Sequence, residues 1–268
     1  MLRMIASALR RVTDSAAAPQ TEKPPARRRL QLMREPAAIY AIGDIHGCLD
    51  QLRRLEALIE ADARTIDGTK VIIMLGDYVD RGPDSAAVLD HLQAPPPAGL
   101  RRACLLGNHE QMMLDLLRNR LDVRMWMDFG GEATMRSYGI DFKYLTAQIG
   151  MTMGEATQLF REAVPAGHVA FLSALPIAIE TPRHIFVHAG IRPGVRWEDQ
   201  ADEDLLCIRR DFIDGDLRGL SKTVVHGHTP GVATVTQQRI GLDTGAHLGG
   251  QLTAARITAS DVKLIAVN

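Results

Sequence analysis

Apolar positions follow two different rhythms from residue 38 onward. "AIYAI" (38–42) and "VIIML" (71–75) are short unbroken apolar runs, the pattern of strands covered on both faces. Between them, "LDQLRRLEALIEADA" (49–63) repeats its apolar residues at helical spacing. A helix over "PDSAAVLDHL" follows, with Pro83 near its start, and "PPPAG" (95–99) breaks the chain. "RACLL" (102–106) then reads as a strand and "NHEQMMLDLLRN" (108–119) as a helix. This β-α-β-α-β-α alternation predicts right-handed crossovers and a largely parallel sheet.

Residues 111–173 read as mainly helical, interrupted at "FGGEA" and turning at "SYGID". Short strand candidates come next: "IAIE", "HIFVH", "TVVHGH", "ATVTQ", "RIGLD", "LTAARI" and "KLIAV". Helices followed by many short strands predict a second sheet packed on the first. The expected class is α/β, with one domain over 37–268 carrying a helical insertion at about 111–173. Residues 1–36 hold eight Lys/Arg against three acids and include "AAAPQTEKPPARRR", so a flexible basic arm is expected there.

The overall net charge is −1, which leaves the body at −6. An acidic body argues against a general nucleic-acid binder, whose affinity rests on phosphate neutralisation. No stretch reaches the roughly 18 to 20 apolar residues of a membrane span. Cys48, Cys104 and Cys207 form no CxxC pair, which suits a reducing, cytoplasmic setting.

Charge changes the picture most at the strand ends. "AIGDIHG" presents Asp44 and His46, "LGDYVDRG" Asp77, and "LGNHE" Asn108 and His109. His46, Asp77 and Asn108 stand 31 residues apart in succession, about one strand-helix-strand unit, so their clusters should emerge at one sheet edge. "VHAG" adds His188, and "VHGHT" adds His226 and His228. A single Gly-Asp after a strand is ordinarily a turn, but five polar strand ends in matching context are not coincidence. Mixed Asp, Asn and His donors suit Mn²⁺, Fe²⁺ or Zn²⁺ rather than calcium. Asp77, in the middle unit, is the candidate for a carboxylate shared by two ions. Geometry alone permits either His226 or His228, since i and i+2 share a strand face.

GDIHG, GDYVDRG, GNHE, HAG and HGHT together resemble the phosphoprotein phosphatase family of dinuclear metallophosphoesterases, its bacterial and phage-type branch above all. The resemblance implies a four-layer α-β-β-α sandwich of two mixed sheets flanked by helices. It implies Asp44, His46 and Asp77 as ligands of one ion, and Asp77, Asn108, His188 and His228 as ligands of the other. Mn²⁺ is the expected metal. Arg81 and Arg209 would bind the substrate phosphate, and Asp80 would orient His109 as the acid that protonates the leaving group.

These readings together describe direct attack by a metal-bridging hydroxide on a phosphorylated protein or peptide. Symmetrical hydrolysis of diadenosine tetraphosphate is the alternative on the same scaffold. That subfamily typically lacks the Asp of VDRG and the Glu of GNHE, both present here as Asp80 and Glu110. A metal-bound scaffold without catalysis is a third reading, disfavoured by the complete ligand set. His91, His168, His184 and His247 read as packing or surface residues. Trp126 and Tyr138 are expected in the wall of the cleft.

Overall fold

The computed structural model describes residues 27–268. Its elements run β1 (Arg29–Gln31), β2 (Ala38–Ile42), α1 (Leu49–Ala63), β3 (Lys70–Met74), α2 (Ser85–Gln93), β4 (Arg101–Cys104) and α3 (Asn108–Leu117). Five helices follow: α4 (Val123–Asp128), α5 (Gly131–Ser137), α6 (Phe142–Ala147), α7 (Met153–Ala163) and α8 (Ala166–Ala174). The chain then forms β5 (Ala178–Glu180), β6 (His184–Val187), α9 (Asp202–Cys207), α10 (Arg210–Ile213), β7 (Thr223–His226), β8 (Thr234–Val235), β9 (Arg239–Gly241), β10 (Leu252–Ile257) and β11 (Val262–Val267).

Two mixed sheets form, in the orders β11-β10-β2-β3-β4 and β1-β5-β6-β7-β9-β8. In the first, β2, β3 and β4 are parallel, as the crossovers predict, while β10 and β11 return antiparallel. The unbroken apolar runs are explained by burial on both faces. Ile39, Ala41, Val71, Ile73, Ala255 and Ile257 point between the sheets to meet Ile179, Phe186, Val225 and Ile240. Their alternate neighbours, Tyr40, Ile42, Ile72 and Met74, face the helical layer with Leu52, Leu55 and Ile59 of α1. This is the expected sandwich of two mixed sheets flanked by helices.

The proposed basic arm over 1–36 needs a correction at its end. Residues 1–26 lie outside the described residues, but Arg29–Gln31 form a strand parallel to β5. Arg29 is anchored by an ion pair to Asp202 at 3.3 Å, and its guanidinium carbon lies 5.2 Å from the Trp197 ring centroid. Arg29, read as part of a solvated tail, is thus a partner of an acidic and an aromatic side chain. Among the described residues, no helix is long and apolar enough to cross a membrane.

Candidate functional site

Five loops converge where the two sheets end. Asp44 and His46 follow β2, Asp77 follows β3, Asn108 opens α3 after β4, His188 follows β6, and His228 follows β7. The loops are stitched to one another. The Ile45 and His46 amides donate to the Asp77 carbonyl at 3.0 and 2.8 Å, and the Gly227 amide donates to the His188 carbonyl at 2.8 Å. The Asp44 carboxylate accepts the His228 amide at 3.0 and 3.1 Å.

Backbone strain is concentrated here. Six non-glycine described residues have positive φ, and five belong to this site: His46, Asp77, Asp80, Arg81 and His228. Such conformations persist only where surrounding contacts hold them. Glu110 is one holder. Its buried carboxylate accepts the amides of Asp77, Tyr78 and Gly107 at 2.8, 2.7 and 3.0 Å, and that of Val79 at 3.1 Å. Burial and the Asp77 charge push its carboxyl up to about 7, against the pull of those donors.

Asp77 stands between two donor groups. Its Oδ2 lies 3.5 Å from His46 Nε2 and 3.8 Å from His109 Nε2, while its Oδ1 lies 3.3 Å from His188 Nε2. His188 Nε2 also meets Asn108 Oδ1 at 2.9 Å and His228 Nδ1 at 3.1 Å. Two buried triplets therefore share Asp77: His46 with His109, and His188 with His228. Asp44, held against the His228 amide, completes neither triplet.

These donors fit divalent ions. His46 Nδ1 faces the Val79 carbonyl at 2.8 Å and His188 Nδ1 faces that of Leu75 at 2.9 Å. Each Nδ1–H is thereby committed to a carbonyl, which turns the Nε2 lone pair inward, as in metal-ligating histidines. His188 Nε2, Asn108 Oδ1, Asp77 Oδ1 and His228 Nδ1 then face one another at close range, a donor set that suits a divalent cation. The titration directions agree. Burial opposes charge on His188, yet Asp77 carries it up to about 9. Burial and the nearby Asp243 charge raise the Asp44 carboxyl well above the carboxylate range. Asp243 Oδ2 is buried without a partner.

Beside this centre, His109 Nδ1 and Asp80 Oδ2 are 2.7 Å apart and fully buried. Burial would lower the His109 pKa, but the Asp77 and Asp80 charges raise it. The Arg81 guanidinium points into the same space, 3.0 Å from His46 Nε2, 3.1 Å from His109 Nε2 and 3.3 Å from His247 Nε2. Arg209 stands on the opposite flank, donating to the His228 carbonyl at 3.1 Å. A groove of about 520 Å³ opens there, lined in part by Glu203, Cys207, Arg209 and Arg210.

The structure thus assembles Asp44, His46, Asp77, Asp80, Arg81, Asn108, His109, His188, Arg209 and His228 in one region. His226 is elsewhere: its buried ring packs edge-on against Phe212 at 4.9 Å. His91 meets Glu56, His168 bridges Tyr138 and Asp90, and His184 lies beside Glu35, all as packing residues. His247 departs from that expectation. Its ring lies edge-on to His46 at 4.7 Å, so it belongs to the site, and nothing in its loop sequence signals this. Trp126 also departs: it is fully buried, with its indole N–H donated to Asp80 Oδ2 at 2.9 Å.

Residues 37–265 match the family described as calcineurin-like phosphoesterase. The chain is similar to serine/threonine-protein phosphatase 1 of Salmonella typhimurium, 29% identical over 82% of this chain and 91% of the relative. It is also similar to a symmetrical bis(5'-nucleosyl)-tetraphosphatase of Janthinobacterium sp., 28% identical over 82% of this chain and 92% of the relative. A crystal structure provisionally named a diadenosine tetraphosphatase superposes with a TM-score of 0.63 at 22% identity, covering 90% of this chain and 98% of that one. At that identity the likeness speaks for the fold alone.

Proposed function

Since the chain belongs to the calcineurin-like phosphoesterase family, we propose that it is a phosphomonoesterase that removes phosphate from phosphoserine or phosphothreonine in proteins, with residues 37–268 as its catalytic domain. The observation that carries this reading is the pairing of a shared carboxylate, Asp77, with the 2.7 Å His109–Asp80 contact at its side. Asp44, His46 and Asp77 would hold one ion; Asp77, Asn108, His188 and His228 would hold the other. Mn²⁺ is our choice, with Fe²⁺ and Zn²⁺ compatible with the same donors. Two such ions, when bound, supply Lewis-acid polarisation of the phosphate and a water of lowered pKa.

The protein's own groups do the rest. Arg81 binds the phosphate dianion with a planar fork matched to two of its oxygens. Arg209, which donates to the His228 carbonyl, binds it from the opposite flank. Arg81 donates to His109 Nε2 at 3.1 Å, so a phosphate that engages the guanidinium releases that nitrogen. His109 Nδ1–H stays on Asp80, and Nε2 carries the proton delivered to the departing alkoxide oxygen. A serine or threonine alkoxide is a poor leaving group and needs that proton. The groove at Arg209 would take the peptide around the phosphorylated residue. The unpaired thiols of Cys48, Cys104 and Cys207 support a cytoplasmic assignment.

A second reading is symmetrical hydrolysis of diadenosine tetraphosphate, which the Janthinobacterium relative supports. A nucleoside diphosphate leaves as a stable anion and requires no such acid, so the buried His109–Asp80 pair favours the monoester. The deciding assay uses metal-stripped protein with Mn²⁺ restored. Phosphate release is followed from matched phosphoserine, phosphothreonine and phosphotyrosine peptides, with ADP and ATP release from diadenosine tetraphosphate in parallel. Metal-dependent turnover of the phosphoserine and phosphothreonine peptides is expected. Turnover of the dinucleotide alone would replace the first reading with the second.

A further inference from the structure

The helical insertion reaches the site as a brace. We infer that the hairpin of α4 and α5 positions Asp80 and Arg81, and that Trp126 and Thr134 act through Asp80 to aim His109; this rests on the acid role given to His109 above. Asp80 is fully buried, and its carboxylate is gripped from both sides. Oδ2 accepts from His109 Nδ1 at 2.7 Å and from the Trp126 indole at 2.9 Å, while Oδ1 accepts from the Thr134 hydroxyl at 2.7 Å. The Asp80 amide donates back to Thr134 Oγ1 at 2.7 Å and to Ser85 Oγ at 3.1 Å. Thr134 therefore holds both the main chain and the side chain of the one residue that touches His109 Nδ1.

The same hairpin holds the next residue. The Arg81 amide donates to the Gly130 carbonyl at 3.1 Å, in the turn between the two helices. Asp80 and Arg81 have φ of 71° and 69°, a left-handed pair that needs such support. The turn itself admits no side chain. A Cβ on Gly130 would lie 2.8 Å from Arg81 Cγ, and one on Gly131 would lie 2.4 Å from the Trp126 ring. A buried indole N–H needs an acceptor, and the one it takes is the carboxylate that also holds His109. Here that N–H and the histidine share one oxygen, so the indole limits how the carboxylate can rotate, and with it the imidazole.

Substitution separates positioning from packing. Trp126→Phe keeps most of the ring volume and removes the donor; Thr134→Val keeps the shape and removes both hydrogen bonds. Thr134→Ser restores the hydroxyl. Steady-state kinetics on a phosphoserine peptide and on p-nitrophenyl phosphate supply the readout, since nitrophenolate leaves without a proton. The first two variants should lose about tenfold more kcat on the peptide than on p-nitrophenyl phosphate, with KM nearly unchanged, and Thr134→Ser should recover the peptide activity. Equal losses on the two esters would overturn the inference, as would a loss confined to KM.

His109→Ala is run beside them. Discrimination between the esters by His109→Ala but not by the brace variants would refute the brace and leave the acid role standing. No discrimination by His109→Ala would remove the acid role and the brace together. Should Trp126→Phe fail to fold, the Thr134 pair decides.

Discussion

Gly227 has no room for a side chain. A Cβ there would lie 2.1 Å from Asp44 Oδ1 and 3.3 Å from its Cγ, so any larger residue must displace a proposed ligand. Gly227→Ala is therefore expected to cut kcat about a hundredfold, the scale of a misplacement near 1 Å, while the protein stays folded by circular dichroism. Activity near wild type would mean that Asp44 is not needed where it stands. At this scale the sequence was highly legible. Asp44, Asp77, Asn108, His188 and His228 each follow an apolar run, and the topology that joins such runs brings their ends to one edge. His247 was not legible, because a histidine between Ala246 and Leu248 has no periodicity to mark it and reaches His46 only through the fold. Trp126, expected in the cleft wall, is instead fully buried for a related reason: its hydrogen-bond partner Asp80 lies 46 residues away, and nothing local marks the pairing.

At the scale of elements, hydrophobic rhythm located the central strands and α1, but β1 escaped it. "RLQ" has no apolar alternation, and its strand conformation comes from parallel pairing with β5 rather than from propensity. Charge joins elements elsewhere too. Glu56 on α1 meets His91 of α2 at 2.6 Å and Arg102 of β4 at 2.8 Å, and both acid and arginine side chains are 5% exposed. Burial alone would raise the Glu56 carboxyl, but His91 and Arg102 outweigh it and hold the group below its usual 4.5. A carboxyl depressed in the folded state contributes stability that is present above its unfolded pKa and lost as pH falls through the folded one. Glu56→Gln should thus cost about 3 kcal/mol at pH 7, as breaking a buried pair does. The gap to wild type should narrow as pH falls from 4.5 through the lower pKa of the folded carboxyl. Urea melts at both pH values measure this; a gap that does not change with pH would assign the cost to packing.

The whole molecule concentrates its unfavourable terms at one end of the sandwich. Asp44, Asp77 and Asp243 are buried there within 4% exposure, together with five left-handed residues that no isolated loop would adopt. Arg81 offers them one guanidinium, and it is turned toward histidines His46, His109 and His247. Elsewhere the interior is mainly apolar, so most of the fold's stability comes from the core while its strain sits at the loops. Cations that bind this end only when the loops are assembled must stabilise the entire domain through linkage. At a free ion concentration near one hundred times Kd the gain is about 2.7 kcal/mol per site. For a domain of this size that corresponds to a rise in Tm of about 5–10 °C. Thermal melts of metal-stripped protein, with and without Mn²⁺, should show this rise, and Asp77→Asn should abolish most of it because both donor groups share that carboxylate. A wild-type Tm indifferent to Mn²⁺, Fe²⁺ and Zn²⁺ alike would exclude a folded-state cation site among these residues.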